Sequence, residues 1–93
     1  MNFYEEQSIN KFTVERKFAH NPGYSFPWHR DSEDRQILII ECGEGWYYQS
    51  DNCLPEILKP NKVIQINKNT FHRLLGGNES LVIHIIKESG VVR

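Results

Sequence analysis

The sequence is poor in the residues that favour helices: among 93 residues there is one Ala and one Met. Against them stand 10 Ile, 5 Val and 11 aromatics, and such an excess of β-branched and aromatic side chains favours strands nearly throughout. Charge of one sign is equally scarce. Lys plus Arg number 11 against 12 Asp plus Glu, so no basic stripe neutralises phosphates, and neither nucleic acid nor an anionic membrane surface is an expected partner. No apolar run approaches the ~20 residues of a membrane span. The start, MNFYEEQSIN, has no basic end followed by an apolar stretch, which leads to the expectation of a cytoplasmic protein. Cys42 and Cys53 are too few for a disulfide scaffold and too far apart for CxxC chemistry, so reduced thiols are expected. A chain of this length holds one small domain, residues 1–93, with its function in a single site.

Turn signals divide the chain into short apolar segments. Lys11 to His20 ends at Asn21-Pro22-Gly23, and Gln36 to Cys42 turns through Gly43-Glu44-Gly45 into Trp46 to Gln49. Cys53 to Leu58, Lys62 to Ile66, Thr70 to Leu75 and Leu81 to Lys87 follow, separated by Asn, Pro and Gly clusters. This regular spacing predicts an all-β sandwich or barrel, with residues 1–10 forming either a short strand or an arm laid on a partner subunit.

Four histidines, at 20, 29, 72 and 84, lie far apart in sequence, but a small barrel directs side chains from distant strands into one interior. Two stretches carry a pattern. In the first, Gly23 is followed by five residues, His29, one residue, Asp31, four residues, Gln36, six residues and Gly43. In the second, Asn61 is followed by five residues, Asn67, one residue, Asn69, two residues, His72, three residues and Gly76. These intervals resemble the two motifs of the cupin family, most closely its small single-domain, RmlC-like members. Asp31 stands where the family has its second His, and Gln36 where it has Glu or Gln. Asn61 and Asn69 stand where it has Gly, a replacement that left-handed backbone tolerates.

The resemblance implies a double-stranded β-helix with motifs at 23–43 and 61–76, and it implies that His29, Asp31, Gln36 and His72 hold a divalent Fe, Mn, Ni, Zn or Cu ion. Two imidazoles and a carboxylate are the donor set that suits an ion with open positions. A two-residue separation along a strand puts His29 and Asp31 on one face. The alternative is a solvated loop at Asp31-Ser32-Glu33-Asp34-Arg35 in a metal-free barrel. On period 2, His84 shares a face with Val82 and Ile86, which makes it a candidate proton carrier or a satisfied core residue; Glu41 is a second candidate for proton transfer. Trp28, Trp46, Tyr47, Tyr48, Phe26 and Phe71 either line a pocket or pack between sheets, with Trp46 or Tyr48 placed at the mouth. Cys42 is read as inward, on the face of Gln36, Leu38 and Ile40.

The expected function is a small-molecule binding or sensing module, with or without metal, whose ligand is a sugar, sugar acid or carboxylic acid. The alternative is a metal-dependent dioxygenase, decarboxylase or isomerase. A 2-oxoglutarate oxygenase is disfavoured, because no Arg or Lys stands about ten residues after His72. The resemblance and the exposed edge strands together imply a homodimer.

Overall fold

The computed structural model describes residues 4–87. Among these are eight strands and no helix: β1 (Tyr4–Asn10), β2 (Thr13–Phe18), β3 (Arg35–Cys42), β4 (Tyr47–Ser50), β5 (Glu56–Ile57), β6 (Val63–Ile66), β7 (His72–Leu75) and β8 (Leu81–Lys87). No helix is therefore long and apolar enough to cross a membrane among the described residues. The strands form a five-stranded sheet in the order β1-β2-β8-β3-β6 and a three-stranded sheet in the order β5-β4-β7, all neighbours antiparallel. Residues 4–10 thus form an edge strand on β2, and the polar, exposed sequence of β1 suits an edge that does not invite further pairing.

The segment before β3 extends the smaller sheet. Ser25 bridges Leu75, and His29 and His72 exchange both backbone hydrogen bonds, at 3.0 and 2.9 Å. His29 and Asp31 therefore stand on an extended segment laid along β7 and not on a regular strand. The core between the sheets contains Phe18, Ile37, Ile39, Trp46, Ile64 and Leu81. Trp46 is fully buried, and its indole N–H donates to the Glu79 carbonyl at 2.6 Å.

Period 2 operates in β3, but its phase is the reverse of the expected one. Ile37 and Ile39 are buried, while Gln36 and Leu38 face away from the core. A β-bulge between Ile39 and Glu41 shifts the register by one residue, so Cys42 packs against the core although Gln36 and Leu38 do not. In β8 the inward residues are Leu81, Ile83 and Ile85, leaving His84 on the outer face opposite Glu15 and Leu38.

The asparagines at the glycine positions adopt the expected geometry. Asn61 has φ 71° and Asn69 φ 62°, so both turns keep the left-handed backbone. The segment expected as Cys53 to Leu58 contributes only Glu56–Ile57 to a strand, because Pro55 has no amide to donate and Leu54 is left 89% exposed.

Candidate metal centre and cavity

The inner faces of the two sheets enclose a cavity of ≈ 320 Å³, with His29, Asp31 and His72 in its wall. One donor atom from each of these residues lies within 4.8 Å of the other two. The loops that place them are cross-braced. The Asn69 amide donates to the Asp31 carbonyl at 2.7 Å, and the Lys68 amide donates to the Asp34 carboxylate at 2.7 Å. The turn that leads into His72 is thereby tied to the loop that carries Asp31.

His72 is buried, 4% exposed, and its Nδ1 lies 2.9 Å from the Thr70 carbonyl. A carbonyl only accepts, so Nδ1 carries the proton and Nε2 presents a lone pair. That Nε2 lies 3.6 Å from Asp31 Oδ2. His29 follows the same pattern at the limit of hydrogen-bonding distance, with Nδ1 3.5 Å from the Pro27 carbonyl, and its ring stands edge-on to His72 with centroids 4.1 Å apart. Burial holds the His72 pKa below its ordinary 6.5, and the bond to Thr70 only partly offsets this. A neutral imidazole is the form that ligates a metal.

The residues fit an ion. Two donors bound at about 2.1 Å to a common centre stand at most about 4.2 Å apart. The Asp31–His72 separation of 3.6 Å already lies within that limit, and the three donor atoms lie within 4.8 Å of one another.

The other expected ligand is elsewhere. Gln36 pairs across the sheet with Gln65 and Ile86 on the outer face, whereas Arg35, one residue earlier, lines the cavity. Placing Gln36 in the interior was wrong because QILIIEC is apolar on both faces, so alternation alone does not set its phase. His84 is likewise outside the cavity, with Nε2 2.9 Å from Glu15 Oε2. Glu41 is exposed. Tyr48 and Phe26 line the cavity while Trp46 lies in the core, so of the two aromatics expected at the mouth only Tyr48 reaches the pocket. Burial raises the Tyr48 pKa and keeps its phenol neutral. Burial also raises the Cys42 pKa, consistent with a packing role.

Three cavity residues escaped the sequence reading: Arg16, Arg35 and Arg73. A signal existed for the first, because Val14, Arg16 and Phe18 share one face of β2 and both neighbours are apolar.

No protein-family model matches the chain, and no curated protein matches it significantly. Solved structures do. A cupin-like protein from Thermotoga maritima is 21% identical with TM-score 0.67, over 89% of this chain and 65% of its own. An RmlC-like cupin with a double-stranded β-helix fold from Methanocaldococcus jannaschii is 15% identical with TM-score 0.67, over 90% and 76%. A structure from the DMSP lyases RdDddP and RnDddQII is 12% identical with TM-score 0.68, over 81% and 36%. The chain thus spans about a third of the lyase and just under two thirds of the Thermotoga protein. At such identities the likeness establishes architecture, and the chain has the double-stranded β-helix fold of the cupins.

Proposed function

We propose that the chain is a small cupin that binds one divalent transition-metal ion through His29, Asp31 and His72, and a small organic ligand in the adjoining cavity. The observation that carries this reading is the convergence of two imidazoles and a carboxylate within 4.8 Å, with the His72 proton committed to the Thr70 carbonyl. A bound ion with three protein donors supplies Lewis acidity and open positions for a ligand. The protein's own groups do the remainder: Thr70 fixes the His72 tautomer, Asp31 supplies negative charge, and the buried Tyr48 contributes to the cavity wall. Gln36 and His84 take no part. The likeness in fold to a DMSP lyase supports a metal-dependent enzyme as the second reading.

Elemental analysis after equilibration with Fe(II), Mn(II), Ni(II) or Zn(II) tests the proposal. One equivalent of at least one metal is expected, with a rise in Tm; no retained metal from any of the four contradicts it. We also propose a cytoplasmic homodimer. Light scattering is expected to give twice the 11.0 kDa chain mass, and a monomer contradicts it.

A further inference from the structure

The whole chain is almost balanced in charge, 11 basic against 12 acidic residues, but its cavity is not. Arg16, Arg35 and Arg73 line it, and among the described residues Asp31 is the one acidic residue in its wall. One of the guanidiniums is held from behind. Arg16 Nε donates to Glu6 at 2.7 Å while its Cζ lies 4.5 Å from the Tyr4 ring centroid. This anchoring bond uses Nε, so the two terminal nitrogens of Arg16 remain as donors. Arg73 differs: it alternates on β7 with the inward His72 and Leu74, and its guanidinium lies against Gln49 and Trp28, which are outside the cavity lining. Arg35 is less satisfied: its Nε is buried with no hydrogen-bond partner, and its ion-pair contact, Nη1 to Asp31 Oδ1, is 3.7 Å long. A guanidinium with five donors and no short acceptor calls for one. Away from His29 and His72 much of the wall is apolar, with Phe18, Phe26, Ile37, Ile83 and Ile85 lining the space.

Building on the cavity being a ligand site, we propose that its ligand is a small carboxylic acid with an apolar body, its carboxylate received by Arg35 with support from Arg16. A planar guanidinium matches a carboxylate with two parallel hydrogen bonds, and the pre-anchored Arg16 loses little freedom on binding. The volume, ≈ 320 Å³, lies at the small end of ligand pockets and suits a compact acid. The contact between Arg35 and Asp31 places this anion receptor beside the candidate metal donors, so one acid can meet both. A neutral sugar fits poorly, since it brings no anion to Arg35 and sets hydroxyls against the apolar part of the wall.

Calorimetry on the full chain tests this, using benzoate and hexanoate beside benzamide, hexanamide, inorganic phosphate and glucose, with and without the metal found to bind. Both acids are expected to bind at least tenfold tighter than their amides, and more weakly as salt rises. Arg35→Gln is expected to lower acid affinity at least tenfold with metal content unchanged, and Arg35→Lys to recover part of it. Should Arg35→Gln fail to fold, Arg16→Gln carries the same expectation of weakened acid binding. Equal binding of acid and amide, preference for phosphate or glucose, binding by neither acid, or acid affinity indifferent to these variants overturns the proposal. Acid binding without any metal uptake upholds the arginine receptor and refutes the metal centre, whereas metal uptake without acid binding does the reverse.

Discussion

Replacing Trp46 by Ala removes the largest fully buried side chain of the core. Its indole packs in a triangle with Phe18 and Phe26, whose ring centroids are 5.9 and 6.1 Å from it and 5.6 Å from each other, and both of those residues line the cavity. Burying ~200 Å² of side chain at ~25 cal/mol per Å² gives about 5 kcal/mol as an upper figure. The bond from Nε1 to the Glu79 carbonyl contributes about 1 kcal/mol more. Measured costs for buried Trp→Ala changes run about 3–5 kcal/mol, so ~4 kcal/mol is expected here. A chain of 93 residues at roughly 0.05–0.15 kcal/mol per residue has only about 5–14 kcal/mol in all. At about 4–8 °C per kcal/mol, the Tm falls by ~15–30 °C. Trp46→Phe keeps a ring but loses the N–H, for an expected ~1.5–3 kcal/mol. Urea unfolding followed by circular dichroism measures both, with Trp28, 41% exposed, as a fluorescent reporter that survives the change. A loss below ~1 kcal/mol for Trp46→Ala would refute the placement of this ring between the sheets.

Asp34 braces the loop that carries Asp31, and Asp34→Ala is expected to cost stability by about 1 kcal/mol while weakening metal binding severalfold; unchanged affinity by calorimetry would contradict the bracing role. Its hydrogen bond with His84 holds the Glu15 carboxyl below its ordinary pKa of 4.5. The unfolded chain then takes up the proton first, so this contribution is present above about pH 4.5 and lost as pH falls through the folded value. The stability difference between wild type and His84→Gln should therefore shrink on acidification, and a constant difference would count against the pair. His72 works in the same direction for a different group: its folded pKa lies below 6.5, so the metal-free protein is most stable above that pH and weakens as pH drops below it. His72→Phe is expected to flatten that part of the stability curve, and a slope equal to wild type would exclude His72 as its source.

The candidate metal donors were legible in the sequence because His29, Asp31 and His72 sit at the intervals of the two motifs, and those intervals survive when residue types change. Asn61 and Asn69 show why: the turns need positive φ, which Asn supplies nearly as well as Gly. Gln36 and His84 were misplaced for one shared reason. QILIIEC and LVIHIIK are apolar on both faces, so period 2 is present without a phase, and the bulge after Ile39 reverses the phase again before Cys42. The cavity arginines differ in kind. Arg16 was readable from its apolar neighbours Val14 and Phe18, whereas Arg35 opens a strand whose sequence, RQILIIEC, does not show which phase faces inward.

Metal content of the wild type beside His29→Ala, Asp31→Ala, His72→Ala, Gln36→Ala and His84→Ala tests the account most directly. One equivalent is expected in the wild type, retained in Gln36→Ala and His84→Ala and lost in the other three. Metal kept after loss of Asp31 or His72, or lost on replacing Gln36 or His84, would contradict the assignment of the centre to the cavity wall.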